Sequence, residues 1–341
     1  MKEWLLGKNP EQLRQIAASY GLPAFAAGQI ANWIYARHVR EIADMTNLSR
    51  AAREKLAETY QVGGFEPLQV QVSTDGTKKY LFPTLCVSRT GVEAVMIPEG
   101  DRATLCLSSQ VGCKLGCSFC MTGRMGFAGN LTAGEIVGQF LGTGETDRLT
   151  NIVYMGMGEP LDNWDQVLRS LEIFTADWGF AWSPRRITVS TSGILPVLDD
   201  FMAKTQAHLA ISLHSPYDEQ RAQIMPVQKA FPISSVVQKL RQYDFSGQRR
   251  LSFEYILFDG WNDTLRHAAA LLQLLRGLEC RVNLIRFHAI EGFPMRPSAE
   301  PAVNAFMTRL NRAGLVATVR ASRGEDILAA CGQLSVKKNE K

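Results

Sequence analysis

Short apolar runs alternate with amphipathic stretches from about residue 100 to the end of the chain. Each run has the length of a β-strand, and apolar residues at helical spacing follow it, as in WDQVLRSLEIF. This alternation predicts an α/β fold in which crossover helices connect a parallel sheet, as a barrel or partial barrel. The predicted strands cover residues 104–109, 151–156, 186–192, 208–214, 251–258, 281–288 and 316–322.

The first hundred residues show two other patterns. From about residue 9 to 60, apolar positions recur at helical spacing, which predicts a small helical domain. Residues 67–98 alternate apolar and polar positions around an Asp75-Gly76 turn, which predicts a short antiparallel sheet. The predicted organisation is a helical N-terminal domain, linking antiparallel strands, a partial barrel and a basic tail, at residues 1–62, 63–98, 99–334 and 335–341.

Polar and glycine residues cluster directly after the predicted strands. The carboxyl ends of parallel strands meet at one mouth of a barrel, where such sites assemble. We therefore expect these segments to surround one bound molecule. Besides a cysteine-containing loop, they are residues 156–160, 190–193, 212–214, 288 and 322–324.

Three thiols in that loop, VGCKLGCSFCMTGRMGF, are spaced C-x3-C-x2-C at Cys113, Cys117 and Cys120. A [4Fe–4S] cluster normally takes four thiolates. With three, one iron is free to bind another molecule, which in this spacing is typically S-adenosylmethionine (SAM). The loop therefore predicts an iron–sulfur cluster and radical chemistry. The alternative is a zinc site, but structural zinc usually has four ligands in paired clusters, and the chain has no second C-x2-C or H-x3-H pair.

Composition limits the class of protein. Seven cysteines in 341 residues without a recognisable signal peptide favour a reducing cytoplasm, where thiols serve as ligands or reactants. No apolar run reaches membrane-spanning length. Lys and Arg total 37 against 33 for Asp and Glu, so charge alone does not indicate a nucleic-acid partner.

The sequence MGMGEP combines small residues, which allow close backbone approach, with the carboxylate of Glu159, which suits an ammonium group. Alone it is also typical of an ordinary turn between a strand and a helix. Ser190, Ser212 and His214 offer hydroxyl and imidazole partners for a ribose or a carboxylate. The alternative for each of them is a capping role at a strand end.

Two further thiols form a second candidate pair. Cys106 precedes the cluster loop by seven residues, and Cys331 follows the last predicted strand, so both are candidates for the barrel mouth. For Cys331, a purely structural role is an equal alternative on spacing alone. Cys86 and Cys280 lie in apolar runs and are predicted to be core residues.

At this point the motifs match a family. The chain resembles the RlmN and Cfr family of radical-SAM RNA adenine methyltransferases over nearly its whole length, through VEAVMIPEGDRATLCLSSQVGC, GMGEPLDN, ITVSTSG, LAISLHSP and RASRGEDILAACGQL. The resemblance implies methylation of an adenine in 23S ribosomal RNA, and in RlmN members also of transfer RNA. It also implies an RNA-binding type of N-terminal domain and an electron donor such as flavodoxin or ferredoxin.

The resemblance further implies a mechanism. Carbon 2 of adenine is electron-poor, so polar transfer from a sulfonium cannot reach it. By similarity, one SAM methylates Cys331, and a second yields a 5′-deoxyadenosyl radical that removes hydrogen from that methyl group. The carbon radical adds to adenine, Cys106 then forms a transient disulfide with Cys331, and Glu93 accepts the proton.

The same resemblance implies the cofactor contacts. Cluster ligands would be the three loop cysteines. One position departs from the expected pattern, because His288 stands where many members have Asn; either side chain can hydrogen-bond the adenosyl group. The implied SAM contacts are Gly158, Glu159, Ser190, Ser212, Leu213, His214 and His288.

Three alternatives remain at this stage. A Cfr-type enzyme would methylate carbon 8 with the same motifs, although the flanking sequence favours carbon 2. A non-catalytic iron–sulfur RNA-binding protein would not need Cys331, Cys106 and Glu93 together. An activase that makes a glycyl radical does not account for the extra thiol pair or the helical N-terminus.

Overall fold

The structure is a computed structural model that describes residues 2–64, 66–87 and 91–335. Of the predicted basic tail, residues 336–341 lie outside this range. The strands of the described part are β1 (Glu3–Trp4), β2 (Tyr60–Gln61), β3 (Gln69–Val72), β4 (Lys78–Pro83), β5 (Gly91–Glu99), β6 (Arg102–Cys106), β7 (Gln110–Gly112), β8 (Phe127–Asn130), β9 (Asn151–Tyr154), β10 (Ile187–Thr191), β11 (His208–Ser212), β12 (Leu251–Leu257), β13 (Arg281–Arg286) and β14 (Ala317–Val319).

The α-helices lie between these strands and in the N-terminal part. A π-helical turn, Asn32–Ala36, continues the second of them. The α-helices are α1 (Pro10–Ser19), α2 (Ala26–Ala31), α3 (Arg50–Thr59), α4 (Met121–Arg124), α5 (Ala133–Gly142), α6 (Trp164–Thr175), α7 (Leu195–Lys204), α8 (Asp218–Ile224), α9 (Ile233–Leu240), α10 (Leu265–Leu274) and α11 (Glu300–Arg312).

One continuous sheet dominates the described part of the chain. Its ten strands run in the order β14-β13-β12-β11-β10-β9-β6-β5-β4-β3. From β6 through β14 all neighbours are parallel, and helices connect them. The two edge strands are not paired with each other, so the sheet is open. This confirms the predicted partial barrel.

The predicted antiparallel strands are present as β3, β4 and β5. They do not form a separate sheet, because β5 pairs with β6 and so extends the parallel sheet. The turn between β3 and β4 uses Gly76 at φ +83°, in the left-handed region that favours glycine. The Asp75 carboxylate fixes this turn by accepting the Thr77 N–H at 2.9 Å.

The helical N-terminus packs directly onto the barrel. Gly7 approaches Gly134 of α5 so closely that a Cβ on Gly7 would lie 2.4 Å from the Gly134 nitrogen. Tyr35 is buried, donates to the Lys8 carbonyl at 2.7 Å and contacts Trp178 edge-on at 5.6 Å. One hydrophobic core therefore runs through both parts of the molecule.

Several predicted strands end earlier in the structure than the apolar runs do. The run 104–109 is a strand only to Cys106, and the run 151–156 only to Tyr154. Leu107 still donates to the Val153 carbonyl at 2.8 Å and accepts from the Gly156 N–H at 3.0 Å, and beyond this pair the two segments form loops at the barrel mouth. The prediction for Cys86 was wrong: it is exposed after β4, and Cys280 is half-buried before β13.

Candidate active site

The cysteine loop is closed by the β7–β8 hairpin. Gly112 has φ +74°, and a Cβ there would lie 1.7 Å from the Gly126 carbonyl oxygen, so the loop base requires glycine. The Cys113 N–H donates to the same carbonyl at 3.1 Å. Cys117 and Cys120 follow in a turn, closed by the Cys120 N–H on the Cys117 carbonyl at 3.2 Å. This local geometry turns the three cysteines toward one cavity.

The protein surroundings favour the protonated form of two of these thiols, Cys113 and Cys117. Burial raises the pKa of Cys113 to about 12 and that of Cys117 well above its usual value. In the described residues, no three Cys, His, Asp or Glu side chains converge on one ion-sized position. Thiolates that each bind a different iron of a cluster need not converge in this way. The soft donor set and its spread around a cavity therefore fit a cluster.

The first cavity has a volume of about 150 Å³ and lies at the carboxyl ends of β9, β10 and β11. The structure brings nine of the thirteen predicted site residues to its wall. The lining includes Cys113, Cys117, Cys120, Gly158, Glu159, Ser190, Ser212, His214 and Cys331.

Glu159 is the buried carboxylate of this cavity. Its Oε2 accepts the Ser192 N–H at 2.9 Å, and its Oε1 accepts the Leu161 N–H at 3.1 Å. Burial raises the pKa of Glu159, while the hydrogen bonds from Thr191, Ser192 and Leu161 lower it. The carboxylate is thus held in one orientation against the cavity, where a ligand ammonium group would complete its pairing.

His214 presents a defined imidazole to the same cavity. Its Nδ1 accepts the Ile256 N–H at 3.1 Å, which places the proton of the neutral ring on Nε2. Burial, and then the charge of Arg221, lower the pKa of His214 to about 3, so the ring is neutral at physiological pH. His214 also has φ +57°, a strained conformation for this residue type.

Arg221 is a functional residue that the sequence reasoning missed. It is fully buried on α8 and donates to the carbonyls of Ser192 (2.8 Å) and Ser212 (2.9 Å). These bonds tie together the ends of β10 and β11, which carry cavity residues. Burial lowers the pKa of Arg221 to about 10, so the group stays cationic beside Cys117 and Glu159. No sequence motif identifies it.

A second, larger cavity adjoins the first and contains the other thiol pair. Its volume is about 500 Å³, and Cys106, Cys331 and His288 line it. Cys331 lines both cavities, as does Cys120. Burial raises the pKa of Cys106 to about 12, and a Cys331 thiolate would raise it further, because the two side chains lie within electrostatic range. The sequence spacing alone left open whether Cys331 has only a structural role. In the structure, Cys331 lies where the two cavities meet.

Arg320 is a cation that acts electrostatically on both thiols of this pair, and it was also missed. Its Nε lies 3.4 Å from Glu254 Oε2, which orients the guanidinium. Cys331 as a residue is exposed to solvent, but desolvation by the protein around its thiol raises the pKa of Cys331, and Arg320 lowers it. The same cation lowers the pKa of Cys106. The residue directly follows β14, within the predicted strand 316–322, where nothing distinguishes it from an ordinary surface arginine.

Glu93 lies next to the cavities and lines neither of them. Its carboxylate is buried, with Oε1 at 3.0 Å from the Lys79 ammonium and Oε2 accepting the Ser335 N–H at 2.9 Å. Burial raises the pKa of Glu93, and the Lys79 charge with the Ser335 N–H lowers it. The structure thus places Glu93 beneath the chain segment that carries Cys331.

The chain segment that carries Cys331 comprises residues 324–335 and forms the C-terminal segment. The β3–β4 hairpin holds its start, since Asp326 accepts the Thr74 N–H at 3.1 Å and Asp75 accepts the Gly324 N–H at 3.0 Å. Its end is held by the cluster loop, where the Thr122 hydroxyl donates to the Leu334 carbonyl at 2.8 Å. Residues distant in sequence therefore fix the position of Cys331.

Two of the predicted SAM contacts do not line the first cavity. Leu213 is fully buried and contributes its backbone, whose carbonyl accepts from Arg221 at 3.1 Å. His288 lines the second cavity and is not part of the wall of the first; its Nε2 lies 3.0 Å from the Ser322 hydroxyl. A role for His288 toward a ligand of the first cavity would need a ligand that extends beyond it.

Comparison with protein-family models gives two matches. Residues 107–272 match the radical SAM superfamily, and residues 4–62 match the ribosomal RNA large subunit methyltransferase N-terminal domain. A curated relative from Porphyromonas gingivalis, a probable dual-specificity RNA methyltransferase RlmN, is 56% identical over 98% of both chains. The chain belongs to the RlmN family of radical SAM RNA methyltransferases. This confirms the resemblance derived from the motifs.

Two further relatives extend the match. The dual-specificity RNA methyltransferase RlmN of Syntrophus aciditrophicus is 42% identical over 96% of this chain and 94% of its own. The crystal structure of a radical SAM methyltransferase from Sphaerobacter thermophilus superposes with a TM-score of 0.91, at 40% identity over 97% of this chain and 99% of that one. The predicted fold class is confirmed.

Membership of the radical SAM superfamily brings a [4Fe–4S] cluster and SAM as cofactors, in agreement with the sequence prediction. No helix among the described residues is long and apolar enough to cross a bilayer.

Proposed function

We propose that this protein methylates carbon 2 of an adenosine in 23S ribosomal RNA, and of an adenosine in the anticodon loop of transfer RNAs. One observation carries the proposal: Cys331 lines both the cavity that contains the three loop cysteines and the cavity that contains Cys106. A group carried on Cys331 is accessible from both cavities. The RlmN relatives support carbon 2 over carbon 8.

The first cavity suits SAM. Its Glu159 carboxylate pairs with an ammonium group, and the neutral His214 donates from Nε2. When bound, the cluster and SAM supply the radical chemistry that hydrogen removal from a methyl group requires. Cys113, Cys117 and Cys120 would hold the cluster, and Gly158, Ser190 and Ser212 are assigned as the further SAM contacts. His288 would contact only a ligand that extends into the second cavity, and Leu213 is not retained as a contact, because its backbone groups already pair with Arg221 and Glu254.

The second cavity suits the target base. A base in an RNA stack cannot reach a thiol in the wall of a cavity, so the nucleotide must be extruded to enter. Part of the wall of this cavity is apolar and consists of Val95, Ile97 and Val153. The lining also contains Arg102 and Arg286, whose positive charges suit contacts with RNA phosphates. We assign the helical domain at residues 1–62 to holding the RNA outside this cavity.

In the proposed sequence, Cys331 carries a methyl group from one SAM, and a second SAM is consumed in activating it, so each turnover uses two. The activated carbon bonds to adenine and links the enzyme to RNA. Glu93 takes the ring proton, and the unpaired electron left on the adduct would pass to a one-electron acceptor such as the oxidised cluster. The Cys106 thiolate attacks the Cys331 sulfur to form a disulfide, and the released methylene carbon takes up a proton to become the product methyl group. A flavodoxin or ferredoxin is assigned as electron donor, and the cytoplasm as the compartment.

The direct test is nucleoside analysis by mass spectrometry. Anaerobically reconstituted protein with SAM, a reductant and an adenosine-containing rRNA or tRNA fragment is expected to produce 2-methyladenosine. Exclusive formation of 8-methyladenosine would establish the Cfr-type reaction in its place, and unmodified RNA with reconstituted, SAM-cleaving protein would reject both.

The three loop cysteines are each expected to be required for the cluster. Cys113→Ala, Cys117→Ala and Cys120→Ala should each lose iron, the charge-transfer absorbance and SAM cleavage, because a remaining pair of thiolates cannot hold the cube. Cys86→Ala is the matched control, since Cys86 is an exposed thiol outside both cavities. Stoichiometric zinc without the absorbance, in protein prepared without air, would contradict the assignment.

Glu159→Gln is expected to weaken SAM binding by about tenfold or more, because the neutral amide cannot compensate a ligand ammonium, and hydrogen bonds to charged groups contribute about 1.5–3 kcal/mol. Isothermal titration calorimetry of the reconstituted protein with SAM measures this change in affinity. Iron content should stay unchanged, and Glu172→Gln on the exposed side of α6 is the control. Unaltered SAM affinity would remove Glu159 from the binding site.

A further inference from the structure

Lys79 is a buried charged side chain that the proposed chemistry does not yet use. It lies on β4 with only 8% of its surface exposed. In the sheet register, Lys79 pairs with Val95, and Val95 pairs in turn with Cys106. Directly paired residues, and residues two apart on a strand, point to the same face. Lys79, Glu93 and Cys106 therefore share one face of the sheet.

The Lys79 ammonium joins the strand that carries Glu93 to the C-terminal segment. It lies 3.0 Å from Glu93 Oε1 and donates to the Leu328 carbonyl at 3.3 Å. Glu93 contacts the same segment through the Ser335 N–H. An ammonium removed from water is costly unless it is paired and hydrogen-bonded, so these contacts define its position.

Lys79 affects the ionisation of Glu93 because the other groups that contact Glu93 are uncharged. The chain after β6 contributes the Ser108 hydroxyl, which donates to the Glu93 carbonyl, and the loop after β9 contributes the Met157 sulfur, which accepts the Glu93 N–H. Both of these groups are uncharged. Within the described residues, Lys79 is the charged group that contacts the carboxylate, and Cys106 and Arg102 are the titratable groups of β6 at positions of the same face. Burial raises the pKa of Glu93 and so favours its protonated form, and the Lys79 charge opposes this.

We propose that Lys79 is a positioning residue, which keeps Glu93 ionised and aligned with the segment that carries Cys331. The inference rests on the proposed function, in which Glu93 accepts the ring proton while the C–H electron pair stays in the adenine. Only the carboxylate form accepts that proton. Loss of the Lys79 charge favours the protonated form of Glu93, so release of the RNA-linked intermediate slows.

The test compares Lys79→Met with Lys79→Arg and with Lys78→Met. Lys78 is the matched control because it points to the opposite face of β4 and pairs with Glu145. Single-turnover release of methylated adenosine is measured from about pH 6 to pH 9.5, together with RNA-linked protein on a denaturing gel.

Lys79→Met is expected to lose about tenfold or more in release rate at neutral pH, since one pKa unit changes the ionised fraction tenfold. Its rate should recover as the pH rises, with the acid limb displaced upward by at least about one pH unit. RNA-linked protein should accumulate at neutral pH and be released when the pH is raised. Lys79→Arg should restore the wild-type profile, and Lys78→Met should keep it.

A wild-type pH profile in Lys79→Met, without accumulated adduct, would overturn the inference. If this variant does not fold, Lys79→Gln replaces it, because it keeps a hydrogen-bond donor without the charge and should show the same displaced profile. Failure of the proposed function is distinguishable, since wild-type protein would then form no methylated adenosine. Methylation of Cys331 and SAM cleavage should be normal in every Lys79 variant.

Discussion

Cys331→Ala is expected to abolish RNA methylation, leaving only assay background. The methyl group then has no sulfur at the junction of the two cavities on which to be carried and activated. The loop cysteines and Glu159 are untouched, so iron content and SAM affinity should remain near wild type. Loss of methylation together with loss of iron would instead indicate a structural role for Cys331.

SAM deuterated in its methyl group gives the sharper measurement on the wild-type protein. If Cys331 is the carrier, one deuterium is removed from the carried methyl group before it bonds to adenine, and hydrogen replaces it on release. The product methyl should therefore contain two deuteriums. A product with all three would establish direct transfer from SAM, which contradicts the role proposed for Cys331.

Cys106→Ala is expected to trap the protein on its RNA. Methylation of Cys331 and bonding to adenine precede the step that needs Cys106, so the covalent adduct forms and is not resolved. A denaturing gel should show a nuclease-sensitive, RNA-linked band in place of turnover. Because release requires a thiol, and not only a base, raising the pH should leave this adduct intact, unlike that of Lys79→Met.

The double variant Cys106→Ala, Cys331→Ala is the control for the trapped species, since it lacks the sulfur that bonds to RNA and should give no band. Cys280→Ala, which removes a half-buried thiol outside both cavities, should turn over normally. Normal turnover by Cys106→Ala would remove Cys106 from the mechanism.

Elements whose signal is local were predictable from the sequence. The alternation of strands and helices determined the parallel sheet, because short crossovers bring consecutive strands side by side. Likewise, the C-x3-C-x2-C spacing determined the cluster loop, and the order of motifs after strands placed Glu159 and His214 at one mouth. Each of these follows from patterns that are local to single strands, helices or loops and from their order along the chain.

The tertiary structure decided which charges act on the site. Arg221, Arg320 and Lys79 have no distinguishing neighbours in sequence, and their roles depend on burial and on partners far along the chain. The meeting of Cys106 with Cys331 depends in the same way on the register of β5 with β6 and on the bonds that hold the C-terminal segment. Side-chain type and spacing define the available chemistry, whereas sheet register and burial define which groups meet and which protonation state they adopt.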